Sequence, residues 1–154
     1  MKKKLILVCV LIFLQNCGYT PIYSNNKKIN FFLENGNFIS NDREISIFIK
    51  NNLQNYYADN NKQKIVLNSN INYQKMSVSK NTAGDDEQYE LSVIGSFSAN
   101  FKNMEKKFEI SEKFTINDIA DEFEEMKYEK SIKKNLSELL VSKLLIELST
   151  INVD

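Results

Sequence analysis

The sequence contains no histidine and no tryptophan, and its 154 residues include one proline, four glycines and two cysteines. Without histidine, the chain lacks the commonest general base and a usual ligand of zinc, haem and non-haem iron. Two cysteines are too few for a disulfide framework or a four-thiolate zinc site. The 20 basic and 20 acidic side chains balance, whereas nucleic-acid-binding proteins usually carry a basic excess. Composition therefore predicts a single domain that is not an enzyme, holds no cofactor or metal and binds no nucleic acid.

The N-terminus has the pattern of a secretory signal peptide. Three lysines at positions 2–4 precede an unbroken apolar run from Leu5 to Leu14. A helix needs about 20 apolar residues to cross a bilayer, so this run is too short for a transmembrane span. A positive segment followed by an apolar stretch of this length is typical of an export signal. We therefore expect residues 1–16 to be removed.

The end of the apolar run indicates lipid attachment. Leu14-Gln15-Asn16-Cys17 resembles the bacterial lipobox, which implies that Cys17 becomes an acylated N-terminus. Each buried methylene contributes about 0.8 kcal/mol, so two or more acyl chains anchor a protein stably where one does not. Cys9 would be removed with the signal. The alternative is an ordinary secreted protein that retains Cys17 as a free thiol.

The mature chain is predicted to consist of a polar, turn-rich tether at residues 17–28 and a single domain at residues 29–154. Alternation of Ile29, Phe31 and Leu33 predicts a first strand, and Asn35-Gly36-Asn37 is a turn signal that should end it.

Three further alternating runs predict an antiparallel meander with one solvated face, joined by turns at residues 81–86 and 102–105. The predicted inward positions are Ile65, Leu67, Ser69, Ile71, Tyr73, Tyr89, Leu91, Val93, Gly95, Phe97, Ala99, Phe101, Phe108, Ile110, Phe114 and Ile116. In the first run the apolar phase changes at Met76 and Val78, which predicts a bulge near Gln74 or Lys75.

Two segments have helical periodicity. The first should begin at Asn41, with Asp42 and Glu44 in its first turn, and its apolar stripe is Ile45, Phe48, Ile49, Leu53 and Tyr56. The second follows Asn117 and runs for about 30 residues, or about 45 Å, so one end should overhang or kink. Its stripe is Ile119, Phe123, Met126, Ile132, Leu136, Leu139, Leu140, Leu144 and the stem of Lys143. The order β-α-β-β-β-α predicts an α+β two-layer sandwich, with two helices packed on a mostly antiparallel four-stranded sheet.

Charged residues supply the remaining candidate sites. Acidic side chains on one face of the second helix, at positions 118, 121, 122 and 125, are interpreted as a solvated helix start, and no metal site is predicted. Asp85-Asp86-Glu87 lacks the spacing of a calcium loop. Lys102, Lys106 and Lys107 should lie at one end of the sheet and, with Lys75, are candidates to bind the phosphates of an anionic glycolipid. The alternative is that all of these are solvated surface lysines. Another group comprises Lys127, Lys130, Lys133 and Lys134.

The heptapeptide Cys17-Gly18-Tyr19-Thr20-Pro21-Ile22-Tyr23 resembles the mature N-terminus of the LptE family of lipopolysaccharide-assembly lipoproteins, in its alphaproteobacterial form. In that form a Cys-Gly-aromatic-x-Pro-Leu-Tyr run is common. The predicted element order agrees along the mature chain. Further similarity lies in Thr82-Ala83 with Tyr89-Glu90-Leu91, and in the run at residues 114–120 that leads into the long second helix.

The resemblance implies a non-enzymatic lipoprotein on the periplasmic side of the outer membrane, anchored there through acylated Cys17. Such proteins act as the plug and assembly partner of the β-barrel LptD and help deliver lipopolysaccharide to the outer leaflet. A domain held in a polar barrel lumen should have a polar, charged free face. Two alternatives stay open. The first is a periplasm-facing lipoprotein that scaffolds another envelope complex without binding lipopolysaccharide, and the second is an enzyme that uses carboxylates alone.

Overall fold

The computed structural model describes residues 31–57 and 63–151. The elements are β1 (Phe31–Ser40), α1 (Arg43–Leu53) with a 3-10 turn (Gln54–Tyr56), β2 (Gln63–Lys80), β3 (Asp86–Phe101), β4 (Met104–Asn117) and α2 (Glu122–Ser149). This is the predicted order β-α-β-β-β-α. The expected signal peptide, acylation site and tether lie outside the described residues.

The strands form a four-stranded sheet in the order β1-β2-β3-β4. The β2–β3 and β3–β4 pairs are antiparallel, as expected for strands joined by short turns. The β1–β2 pair is parallel because α1 carries the chain back across the sheet between them. Helix α2 contacts β3, β4 and α1. The predicted α+β fold with two helices and a mostly antiparallel sheet is confirmed.

The core lies between the sheet and the helices. Along β3 the odd-numbered residues from Leu91 to Phe101 are buried, which confirms the predicted inward face. Helix α1 contributes Ile45, Ile49 and Leu53. From α2 the buried residues are Ile132, Leu136, Ser137, Leu140, Val141, Leu144 and Leu148.

The prediction of a turn at Asn35-Gly36-Asn37 is wrong, because β1 continues through this segment to Ser40. The pairing of β1 with β2 shifts register between Asn35 and Phe38, so the segment forms an irregularity within the strand. A Cβ at Gly36 would lie 2.4 Å from the carbonyl oxygen of Leu67. Glycine is therefore required by the close approach of two strands, and not by a chain reversal.

The prediction of a bulge near Gln74 or Lys75 is also wrong, because the irregularity lies a few residues further along β2. The β2–β3 register is unbroken as far as Ser77, and it shifts only between Ser77 and Lys80. Met76 and Val78 lie on the outer face, where they are 48% and 53% exposed. The apparent change of phase came from two apolar residues facing solvent, which a period-two pattern cannot distinguish from a bulge.

The predicted stripe of α2 is correct for Ile132, Leu136, Leu140 and Leu144. Phe123 and Met126 are 67% and 59% exposed, and Leu139 is also exposed. Burial along the helix begins at Ile132. At 1.5 Å per residue the 28 residues of α2 span about 42 Å, and its first three turns lie beyond the apolar core.

Candidate functional site: lysines and an ion cluster between the layers

Three of the four candidate lysines lie where β3 turns into β4. Phe101 pairs with Met104, so Lys102 occupies the turn between them, with a left-handed φ of 48°. Lys106 and Lys107 follow near the start of β4. Because successive strand residues point to opposite faces, Lys106 points toward the helices and Lys107 toward the outer face. The structure brings the three lysines to one end of the sheet but divides them between its faces.

Lys106 and Lys107 differ in their surroundings. The ammonium of Lys106 donates to a carboxylate oxygen of Glu147 and to Oγ1 of Thr150, both at 3.2 Å, and it lies 5.7 Å from the ring centre of Phe108. The Lys107 side chain is 73% exposed and pairs with Glu105 at 3.3 Å. Lys107 is therefore the more accessible to an external anion.

Lys75 lies far from the other candidate lysines. It is opposite Leu91 of β3, whereas Lys106 is opposite Ala99, and eight residues of extended strand span about 26 Å. The Lys75 ammonium lies 2.6 Å from a carboxylate oxygen of Glu125 and 3.0 Å from one of Glu129. Its charge is therefore already paired within the chain.

Lys75 belongs to a group of side chains between the sheet and the helices that we call the interlayer cluster. Its members are Asp42, Tyr73, Lys75, Glu125, Glu129 and Lys133. Glu129 lies near the centre: it accepts from the Tyr73 hydroxyl at 2.8 Å and pairs with Lys75 and with Lys133 at 3.3 Å. The cluster thus joins α2 to β2 along a part of the helix that has no buried residue.

Lys133 connects the two helices. Its ammonium lies 2.9 Å from a carboxylate oxygen of Asp42, and the side chain is only 12% exposed. Asp42 is also the N-cap of α1, because its other carboxylate oxygen accepts from the Ile45 N–H at 2.9 Å. The Lys133 ammonium also lies 4.6 Å from the ring centre of Tyr73. One ammonium therefore holds the start of α1, a strand tyrosine and α2 together.

The pKa shifts follow from these contacts. Burial alone would raise the pKa of Asp42, but the Ile45 N–H and the Lys133 ammonium stabilise its carboxylate, so the pKa falls. Burial would also raise the pKa of Glu129, but the Tyr73 hydroxyl and the Lys75 ammonium stabilise its carboxylate, so its pKa falls. Burial would lower the pKa of Lys133, yet Asp42 and Glu129 raise it. Burial and then Glu129 raise the pKa of Tyr73. All four groups are therefore held in their ordinary charge states at neutral pH.

Two acidic residues at the start of α2 have structural roles, one as the helix cap and the other in an ion pair. Asp121 is the N-cap and accepts from the Glu124 N–H at 3.0 Å, as the dipole and the free N–H groups favour. Glu125, expected to be solvated, instead pairs with Lys75. In the part of the chain that the structure describes, no group of three or more Asp, Glu, Cys or His side chains could hold a metal ion.

The sheet face away from the helices is polar. Apart from Ile94, its central positions carry amide, hydroxyl and charged side chains: Asn68, Asn70, Asn72, Ser96, Ser98, Asn100, Lys107, Glu109 and Ser111. A shallow groove of about 530 Å³ crosses this face, with Ile39 as an apolar wall. Ser98 donates to Glu105 at 2.8 Å across the hairpin. This face offers many donors and acceptors to a polar partner.

Within residues 31–57 and 63–151, no helix is both long and apolar enough to cross a membrane. The predicted acylation site, Cys17, lies outside these ranges.

The two-layer architecture is shared with several bacterial lipoproteins of known structure. Rare lipoprotein B from Shewanella oneidensis is similar at 14% identity and a TM-score of 0.50, over 77% of this chain and 98% of that one. Lipoprotein B from Nitrosomonas europaea is similar at 15% identity and a TM-score of 0.54, over 75% and 80%. A minor lipoprotein from Acinetobacter baumannii is 10% identical with a TM-score of 0.51, over 77% and 95%. No protein-family model and no curated protein sequence matches the chain.

Sequence reasoning missed the interlayer cluster. Lys133 was grouped with exposed lysines because it belongs to a lysine-rich stretch of α2. A weak signal existed, since Lys133 follows Glu129 by four residues and directly follows Ile132, which is buried. Its main partner, Asp42, is 91 residues away in the chain, and no local pattern links the two.

Proposed function

We propose that this protein is a non-enzymatic lipoprotein, acylated on Cys17 and located on the periplasmic side of the outer membrane. There it would act as the plug and assembly partner of an LptD-like β-barrel and help deliver lipopolysaccharide to the outer leaflet. The observation that carries the proposal is the LptE-like fold, matched over 98% of the length of rare lipoprotein B from Shewanella oneidensis. The heptapeptide at residues 17–23 and the lipobox-like run before it support the same assignment.

The polar outer face supports the role of a plug. A domain enclosed by a water-filled lumen needs no apolar surface on the side that faces the lumen wall, because that wall is itself polar. The central outer positions of β2 and β3 carry mainly Asn and Ser. Such side chains can exchange hydrogen bonds with water for hydrogen bonds with a polar partner at little net cost.

The partner is tested by crosslinking and affinity purification of the full chain from outer membranes. Recovery of one large β-barrel protein is the expected result. Its absence, together with recovery of a different envelope complex, would favour the alternative of a periplasm-facing scaffold without lipopolysaccharide. Mass spectrometry of the mature N-terminus tests the anchor independently, since an unmodified Cys17 or an intact Met1 would refute acylation.

The role of the lysine group is tested by charge reversal. Replacing Lys102, Lys106 and Lys107 with Glu should weaken binding of purified lipopolysaccharide, because the phosphates of that lipid are anionic. A matched control reverses three exposed lysines elsewhere: Lys113, Lys127 and Lys134. Equal losses in both variants would mean that only net charge matters. The contribution of Lys75 is tested separately, since its partners Glu125 and Glu129 make it important for stability.

A further inference from the structure

Strand β4 forms one edge of the sheet. Among the described residues it pairs only with β3. Its 14 residues contain neither proline nor glycine, and their register with β3 is unbroken from Asn117 to Met104. A long, regular edge presents a row of unpaired backbone groups to which another strand can add.

The β3–β4 hydrogen bonds identify the backbone groups that face outward. Just beyond β4, the N–H of Asp118 donates to the carbonyl of Glu87 at 2.8 Å, in the same register as the strand pair. Backbone groups of an antiparallel strand point alternately to one neighbour and to the other. The even-numbered residues of β4 therefore bond to β3, and its odd-numbered residues direct N–H and C=O away from the sheet.

We propose that, when the chain is free of a β-barrel partner, β4 pairs antiparallel with β4 of a second copy, centred on Glu109, to form a continuous eight-stranded sheet. In this register the odd-numbered residues form the hydrogen-bonded pairs, as the free backbone groups require. The side chains that meet are Met104 with Phe114, Glu105 with Lys113, Lys106 with Glu112, Lys107 with Ser111, and Phe108 with Ile110. Two of these pairs join opposite charges and two join apolar side chains. The four charged groups already pair within the chain (Glu105 with Lys107, Lys106 with Glu147, Glu112 with Lys143, Lys113 with Glu90), so the new pairs would extend existing ion pairs. Each pair occurs twice because a two-fold axis relates the copies.

The charges favour this register over its neighbours. Centring the pair on Lys107 would place Lys107 against itself and Glu105 against Glu109. Centring it on Ser111 would keep Glu109 opposite Lys113 but would place Ile110 against Glu112. The nearest registers, centred on Phe108 and on Ile110, would place Lys106 against Ile110 and Lys107 against Lys113 respectively. Centring on Glu109 leaves one mismatch, where Glu109 faces its own copy. Charged edges usually discourage pairing, but here the signs along the strand are complementary to those of the same strand reversed.

A groove lined by both apolar and charged side chains lies beside the proposed centre. It has a volume of about 380 Å³ and runs between β4 and α2. Phe108 and Ile110 line it with Ile146, which is 61% exposed. A second copy would bring its own groove against this one and remove Ile146 from water. The apolar surface and the free backbone groups therefore coincide at one place on the edge.

Disulfide trapping tests the register. The full chain, with Cys9 and Cys17 replaced by serine, is purified in a mild detergent and oxidised. Glu109→Cys places one thiol opposite its copy, at a spacing that a disulfide can bridge. Lys113→Cys is the control, because its copy would lie eight strand residues away, about 26 Å. We expect several-fold more covalent dimer from Glu109→Cys. Equal yields, no dimer, or a disulfide to a different polypeptide would each overturn the proposal.

A second variant measures the non-covalent dimer. Ser111→Pro removes an outward N–H and leaves the bonds to β3 intact. Sedimentation velocity of the full chain with native Glu109 should show a monomer–dimer equilibrium that Ser111→Pro shifts to monomer. Equal dimerisation in both proteins would refute pairing through β4. If Ser111→Pro fails to fold, the trapping yields still decide between the outcomes.

Discussion

Replacing Lys133 with Met should destabilise the protein far more than the same change one residue later. In the folded state the Lys133 ammonium lies within 3.3 Å of both Asp42 and Glu129. Removing it leaves two carboxylates without this counterion in a confined space between the layers. Methionine keeps most of the aliphatic stem, so the substitution removes charge and hydrogen bonds with little change in packing.

The size of the effect follows from burial. Truncating one partner of a fully buried ion pair costs about 3–5 kcal/mol, whereas an exposed pair contributes about 0–1 kcal/mol. The side chains of Lys133, Asp42 and Glu129 are 12%, 17% and 19% exposed, which is nearer the buried limit. Water still reaches the carboxylates, and Glu129 keeps its bonds to Tyr73 and Lys75. We expect a loss of about 2–3 kcal/mol in the free energy of unfolding.

Urea denaturation followed by circular dichroism measures this loss. With a slope of about 2 kcal/mol/M, the middle of the usual range for urea, Lys133→Met should lower the midpoint by about 1–1.5 M and leave the slope unchanged. Lys134→Met is the matched control, because Lys134 is 60% exposed and its partner Glu138 is 3.9 Å away. Its midpoint should shift by less than about 0.5 M.

Equal shifts for the two substitutions would refute the reasoning, since they would show that the interlayer cluster is no more stabilising than a surface pair. A double-mutant cycle adds a second criterion. Asp42→Asn alone weakens both the cap and the ion pair, and in the presence of Lys133→Met it should cost less than alone. Strict additivity would mean that Asp42 and Lys133 do not interact in solution.

Three further predictions concern stability. Because the pKa values of Asp42 and Glu129 are lowered, their contribution is present above their unfolded values of 3.8 and 4.5 and is lost as pH falls through the lower folded values. Lys133 contributes its full stabilisation below its unfolded pKa of 10.5, and this stabilisation is lost as pH rises through the raised pKa of the folded state. With no histidine to titrate between these limits, the urea midpoint should be nearly flat from about pH 5 to pH 9. Gly36→Ala should cost about 1–3 kcal/mol, because the added Cβ overlaps the backbone of β2. Leu140→Ala should cost about 2–5 kcal/mol, since the side chain is fully buried.

Each of these predictions has a distinguishing result. A urea midpoint that changes steeply between about pH 6 and pH 8 would mean that groups outside the interlayer cluster control stability, because none of the cluster's side chains titrates there. An unchanged midpoint for Gly36→Ala would show that β1 and β2 are farther apart in solution. For Leu140 the control is its neighbour Leu139, which is 40% exposed. Leu139→Ala should cost about 1 kcal/mol or less, and a cost no larger than this for Leu140→Ala would show that Leu140 is not buried in solution.

Much of the fold was predictable because its signals are local. The strict alternation in β3 indicates one buried face without any knowledge of what covers it. The predicted start of α1 at Asn41 lies one residue before the observed cap, Asp42, because Asn and Asp both bond free helix N–H groups. Such patterns depend on neighbours within a few residues, so a single sequence contains them.

The errors arose where one local pattern fits two structures. Asn35-Gly36-Asn37 has the composition of a turn, but the glycine serves a close approach to Leu67. Phe123 and Met126 continue the helical stripe of α2, yet no core lies opposite them. Periodicity reports which residues share a face, and only the arrangement of the other elements determines whether that face is covered.

The sequence by itself determined the element order, the inward face of each central strand and the absence of histidine chemistry, because these depend on residue type and spacing alone. Only the tertiary structure decided which charges meet. Lys133 reaches Asp42 across 91 residues, and Lys75 is paired with α2 while Lys107 faces solvent. These contacts follow from how α2 crosses the sheet. This geometry determines the ionic partners of each lysine, because a long flexible side chain can pair with any carboxylate within its reach, wherever that carboxylate lies in the sequence.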